Sequence, residues 1–161
     1  MTATPIGIGF DFDHTLGVDN GLELRALYAY ARELLALLRE RGVPRAILTN
    51  GWTPLQQKKV ARALGDEARH LRVLVSDAIG AVKPERAAFE ALVAALATPR
   101  ECCWYVGDNV RGDVGGALGA GLRAVWFDAD GASYPQDVPR PTLHIRALRE
   151  LETLIENTSV P

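Results

Sequence analysis

The chain has 161 residues, enough for one domain with a buried core, and its 48% apolar and 24% charged residues exclude a disordered segment. A formal charge of −2 gives no electrostatic basis for binding nucleic acid or an anionic membrane. No apolar stretch is long enough to span a bilayer, and the N-terminus lacks a basic leader segment. The adjacent Cys102 and Cys103 suit neither a stabilising disulfide nor a CxxC metal spacing. They read as two buried thiols on a strand, and a reducing cytoplasm is the expected location.

In chain order, apolar runs alternate with segments of helical spacing. "PIGIGF" (5–10) predicts the first strand. Leu24, Leu27, Ala31, Leu34, Leu35 and Leu38 recur at helical intervals and predict a helix over 22–41, stopped by Gly42. "RAILT" (45–49) predicts a strand, and 54–65 a helix opened by Thr53-Pro54. "LRVLVS" (71–76) is the third strand, and a helix runs from Pro84 to about 97. "CCWYVG" (102–107) and "RAVWF" (123–127) are strands flanking a helix over 112–121. "TLHI" (142–145) reads as an edge strand before a last helix, 146–157. "YPQDVPRP" (134–141) reads as a surface loop, and His70 and His144 as peripheral. The alternation predicts an α/β fold: a doubly wound, mainly parallel sheet of five or six strands, helices on both faces, in a single domain.

In such sheets ligands bind beyond the carboxyl ends of the strands. The first strand is followed there by Asp11, Asp13 and Thr15, with the two aspartates on one side of an extended backbone. The second ends in Thr49, Asn50 and Gly51. The third leads to Lys83, and the fourth to Asp108 and Asp113. Clustered carboxylates call for a hard divalent cation such as Mg²⁺. Lys83, Thr49 and the backbone N–H groups of 50 and 51 suit an anion. Metal and anion at one site point to a phosphate ester.

"DFDHTL", "LTNG", "KP" and "GDNVRGD", in this order, resemble the four motifs of the haloacid dehalogenase (HAD) superfamily of phosphohydrolases. The resemblance spans residues 6 to about 128, and its details are similar to the subgroup of nucleotidases and phosphoglycolate phosphatase-type enzymes. It implies Asp11 as the nucleophile that forms an aspartyl-phosphate and Asp13 as general acid/base. It implies Thr49 as a phosphate-binding hydroxyl, Lys83 as charge-balancing lysine, and Mg²⁺ on Asp11, Asp108 and the carbonyl of Asp13. Asp113 would support metal or lysine. Asp13 argues against haloacid dehalogenation, since the dehalogenases of this family lack a second aspartate there. His14 stands where the family often has Gly, as a tolerated turn residue or a substrate contact.

Family members usually carry a cap domain. The intervals from Asp13 to Thr49 and from Thr49 to Lys83 are too short for one, so a capless member with an open site is expected. Such a site admits large substrates, or borrows a lid from a neighbouring subunit of a homo-oligomer; the expected substrate is a small phosphomonoester, with a phosphoprotein as the alternative that the open site allows. Rim candidates are 17–21, Trp52, Gln56 and Arg111, with Trp52 either stacking on substrate or packing on the core. "DVGGALGAG" does not match a dinucleotide loop and reads as close helix–sheet packing. A receiver-like phospho-acceptor or binding module is the reading of a different class. It too gathers acids and a lysine at strand ends, but it needs no second aspartate after the first strand.

Overall fold

A computed structural model describes residues 5–19 and 24–157. Six parallel strands form one sheet: β1 (Gly7–Phe10), β4 (Arg45–Thr49), β5 (Arg72–Val75), β6 (Cys103–Gly107), β7 (Arg123–Phe127) and β8 (Leu143–Ile145). Their order is β5-β4-β1-β6-β7-β8. The chain runs outward from β1 through β4 to β5, then crosses back to β6 on the other side of β1. The direction reverses at β1, so the crevice of the fold opens where β1, β4 and β6 end.

Successive residues of each strand feed opposite faces. Ile8, Phe10, Ile47, Val106, Val125 and Phe127 pack with Leu34, Leu35 and Leu38 of α1 (Ala31–Glu40) and Val60 and Leu64 of α2 (Thr53–Leu64). Leu48, Tyr105 and Trp126 pack on the opposite face with Phe89, Leu92 and Leu96 of α4 (Arg86–Leu96). Burial on both faces is why the strands read as continuous apolar runs. At Gly9, an added Cβ would lie 2.5 Å from Leu92 and 3.0 Å from Tyr105, so its lack of a side chain lets both close over β1.

The predicted first helix is shorter than its periodicity suggests. Residues 22 and 23 lie outside the described residues, and Leu24–Leu27 forms β3, paired antiparallel with β2 (Gly17–Asp19). Leu24 and Leu27 are three apart, a spacing a helix and a short strand share. Tyr30, at φ 74°, stops α1 from extending back toward β3. Pro84 does not open α4, which begins at Arg86. A short helix, α3 (Ser76–Ile79), follows β5. The helix expected from 112 starts as a wide π-helical turn, Val110–Gly115, and continues as α5 (Gly116–Gly119). The last helix is a 3₁₀ turn, Leu148–Leu151, followed by α6 (Glu152–Glu156). Only Cys103 is a buried strand thiol, pushed up to about 11 chiefly by burial; Cys102 is half-buried in the preceding turn. The close packing expected of the glycine-rich segment holds at Gly116, where a Cβ would lie 2.5 Å from Phe89, but Gly119 has open space.

Candidate active site

The site starts where β1 runs out. Asp11 extends the parallel ladder by donating its N–H to the carbonyl of Val106 at 2.8 Å. Phe12 turns into the core, fully buried. Its carbonyl accepts from the N–H groups of Leu16 (3.0 Å) and Gly17 (2.9 Å), closing a tight turn. His14 takes the left-handed conformation there, φ 61°. With Phe12 pointing inward, Asp11 and Asp13 leave on the other side.

Asp11 is buried beside Lys83. The Lys83 ammonium has three hydrogens and three acceptors: Asp11 Oδ1 at 2.8 Å, the Tyr105 hydroxyl at 2.8 Å and Asp113 Oδ1 at 2.7 Å. Tyr105 donates onward to the carbonyl of Leu48 at 2.8 Å. Burial works against the charged lysine, but Tyr105, Asp11 and Asp113 outweigh it and hold Lys83 well above its ordinary range. Burial likewise keeps Tyr105 a neutral phenol. Asp113 reaches Lys83 from the π-helical turn, whose entry is fixed by Asn109. That residue's Oδ1 accepts from Gly112 N at 2.8 Å, and its own N–H donates to Asp113 Oδ2 at 3.0 Å. An added Cβ on Gly107 would lie 2.4 Å from the Asp113 carboxyl, so that glycine makes the space Asp113 occupies.

Asp108 completes an acidic group. One carboxylate oxygen from each of Asp11, Asp108 and Asp113 falls within 4.8 Å of the others. A single hydroxyl hydrogen, that of Thr15, serves both Asp11 Oδ2 and Asp108 Oδ1, each at 3.4 Å. Burial and then the Asp11 charge push Asp108 up to about 6 and, against Lys83, Asp113 up to about 7. Three carboxyls face one ammonium, and with all three ionised two negative charges are in surplus among hard oxygen donors. That donor set and charge fit Mg²⁺. The Trp126 indole N–H holds the backbone carbonyl of Asp108 at 3.1 Å.

Asp13 lives elsewhere. Its Oδ1 pairs with Lys59 Nζ at 2.6 Å, and its Oδ2 accepts from Gln56 Nε2 at 2.8 Å. Gln56 also donates to Thr49 Oγ1 at 2.7 Å. Both partners project from α2, whose first turn is tied down by Thr53 N donating to Asp77 at 3.2 Å. Asn50 uses its side chain to hold the Lys83 backbone, donating to its carbonyl (3.1 Å) and accepting from its N–H (2.9 Å).

A cavity of about 250 Å³ joins Asp11, Asp13, Thr49, Asn50, Lys83, Asp108 and Asp113. Gly51 is the exception among the expected residues. Its N–H is not free for an anion but donates to Ser76 Oγ at 3.0 Å, because α3 opens at Ser76 directly after β5, beside the turn. A second cavity of about 300 Å³ adjoins the first through His14 and Asp108 and is walled by Tyr28, Trp126 and Asp130. Trp52 is 64% exposed, so it does not pack on the core. Arg111 pairs with Asp137 at 2.8 Å across the outer loop. Residues 20 and 21 of the expected rim lie outside the described residues. His70 is exposed in a 3₁₀ turn, whereas His144 stacks on Trp126 and bonds Asp128 at 3.1 Å.

Two groups escaped the sequence reading. Tyr105 hides in an apolar run; its signal is that a buried phenol requires a partner. Lys59 resembles any solvated helix lysine; its signal is its place three residues after Gln56 on a helix that opens at the Thr49 turn.

This geometry agrees with comparisons to known proteins. The family model for haloacid dehalogenase-like hydrolases matches residues 4–121. A phosphoserine phosphatase of Thermus thermophilus is 39% identical over 127 residues, covering 78% of this chain and 49% of that protein. The chain thus spans about half the length of this relative. The HAD hydrolase YfnB of Bacillus subtilis, whose structure is bound to magnesium, superposes with a TM-score of 0.71 at 27% identity, covering 80% of this chain and 56% of that one. A HAD phosphatase of Thermococcus onnurineus shares the fold, with a TM-score of 0.82 at 20% identity over 96% of this chain and all of that one. Motif order, strand-end placement and a family match over most of the sequence agree: the chain belongs to the haloacid dehalogenase-like hydrolase family.

Proposed function

We propose that the protein is a Mg²⁺-dependent phosphatase that hydrolyses a small phosphomonoester through an aspartyl-phosphate, without a cap domain over its site. One observation carries this reading: the two aspartates of one strand end sit in different environments. Asp11 lies in the lysine-balanced acidic group, and Asp13 is held separately by α2. Two carboxylates set apart in this way suit two chemical roles.

Asp11 attacks phosphorus and the ester oxygen departs. Lys83 fixes the Asp11 carboxylate from one side and offsets charge during the attack. Asp13 protonates the leaving oxygen, then takes a proton from the water that cleaves the aspartyl-phosphate. Thr49 donates its hydroxyl hydrogen to a phosphoryl oxygen. Mg²⁺ held by Asp11, Asp108 and the Asp13 carbonyl would supply charge neutralisation on the phosphoryl oxygens.

The adjoining cavity of about 300 Å³ supports a leaving group of amino-acid or sugar size, in keeping with the phosphoserine phosphatase relative. Between Asp13 and Thr49 the described residues form the β2–β3 hairpin and α1. Between Thr49 and Lys83 they form α2, a 3₁₀ turn, β5 and α3, which supports the capless reading. Exposed Trp52 beside the Gly51 turn supports a second reading, a phosphoprotein substrate.

The test is turnover of a panel of phosphate esters with Mg²⁺, comparing kcat/KM across sugar phosphates, nucleotides, phosphoserine and phosphopeptides. Hydrolysis should stop in EDTA. Asp11→Asn should lose at least about 10³-fold in rate while remaining folded by circular dichroism. Normal turnover by that variant would remove the nucleophile assignment, and a slowly decaying acyl phosphate without turnover would favour a phospho-acceptor.

A further inference from the structure

We propose that Lys59 and Gln56 are positioning residues of this reaction, fixing the acid/base and the phosphate-binding hydroxyl from one face of α2. The inference rests on the phosphatase reading above and deepens it.

Gln56 and Lys59 lie three residues apart, which places them on the same helix face. That face points inward. The Lys59 side chain is 5% exposed and Gln56 is fully covered, whereas such residues ordinarily stay in solvent. Burying a lysine is costly, and an apolar side chain would pack the same space without that cost. Packing alone therefore does not call for Lys59. Its ammonium holds Asp13 Oδ1 at 2.6 Å.

Gln56 performs the matching task. Its two amide hydrogens serve Asp13 Oδ2 at 2.8 Å and Thr49 Oγ1 at 2.7 Å. Because Thr49 accepts from Gln56, its own hydrogen is left for an oxygen in the pocket; its contact to the Asn50 carbonyl is long, 3.5 Å. Gly51 supplies independent support. It adopts φ +148°, and an added Cβ would lie 2.9 Å from Gln56 Cγ. The turn after β4 is shaped to admit the Gln56 side chain. One amide thus ties the orientation of the proton-transfer group to that of the phosphate donor.

The experiment compares kcat/KM for two esters, since this ratio reports steps through formation of the aspartyl-phosphate. An alkyl phosphate needs its leaving oxygen protonated; p-nitrophenyl phosphate does not. Lys59→Met should lower kcat/KM about 10- to 100-fold for the alkyl ester and less than about threefold for the nitrophenyl ester, with Lys59→Arg restoring most of the loss. Equal losses on both esters, or none, would overturn the proposal. Where Lys59→Met does not fold, Lys59→Gln carries the same test. A crystal structure of the variant gives a readout independent of activity: the Asp13 carboxylate should leave its present position, and an unmoved carboxylate would sink the idea. Failure of the wild type on both esters would overturn the phosphatase reading, while that crystal structure still decides whether Lys59 positions Asp13.

Discussion

The two buried lysines of the site each have 5% of the side chain exposed, and each serves one of the two aspartates after β1, yet their surroundings are opposite. Lys83 stands among three carboxyls and a phenol, and once all three are ionised the balance around it is negative by two. Lys59 pairs with Asp13 at 2.6 Å, and Gln56 of the same helix shares that carboxylate. The lysine with surplus acid stands beside the group that could hold a divalent cation. Lys59 marks where α2 holds an aspartate in place.

Removing each lysine tests that contrast most strongly. Lys83→Met leaves Asp11 and Asp113 buried without their cation and should destabilise the metal-free protein by about 3–5 kcal/mol in urea unfolding. Lys59→Met should cost less, about 1–3 kcal/mol, because the Asp13 side chain is 27% exposed and keeps Gln56. Equal costs would erase the distinction.

The surplus acid also sets a pH dependence. Asp108 and Asp113 bind protons more tightly when folded, near 6 and 7, than when unfolded, near 3.8. Between pH 4 and 7 the folded chain therefore holds more protons than the unfolded one, and metal-free stability falls as pH rises through that window. Mg²⁺ requires the ionised carboxylates. At saturating Mg²⁺, Tm should rise by several degrees, about 3–8 °C, at pH 8 and by little at pH 5. An equal rise at both would show that the acidic group is not where the cation binds. The smallest expected effect lies outside both lysine networks. Trp52→Ala should change stability by less than about 0.5 kcal/mol, because the indole is exposed, and any loss of kcat/KM should be confined to large esters.

Much of this was legible in the chain. The six strands of the main sheet match six apolar runs; Thr49 ends β4, and Asp11, Asp13, Lys83, Asp108 and Asp113 lie beyond strand ends, because a doubly wound sheet sends those ends to one edge. The β2–β3 hairpin was not legible: Leu24 and Leu27 satisfy a helical spacing equally well, and only the pairing with Gly17–Asp19 decides between them. Nor was the fate of the Gly51 N–H, since its partner Ser76 lies 25 residues away and no local pattern joins them. The wide turn at 110–115 depends on Asp113 reaching past Gly107 to Lys83, a tertiary demand that overrides the helical pattern. Lys59 escaped notice because a buried and a solvated lysine are the same letter.

Gly9 has a consequence for heat. With no side chain there, Tyr105 of β6 lies across β1 and reaches the Leu48 carbonyl of β4, while its oxygen also receives Lys83. The Tyr105 hydroxyl thus ties β6 across β1 to β4 and to the Lys83 ammonium. A slight splaying of this end of the sheet would part Lys83 from its acceptors long before the helices melt. Turnover should fade on warming ahead of the circular dichroism signal, making activity the finer thermometer of this sheet.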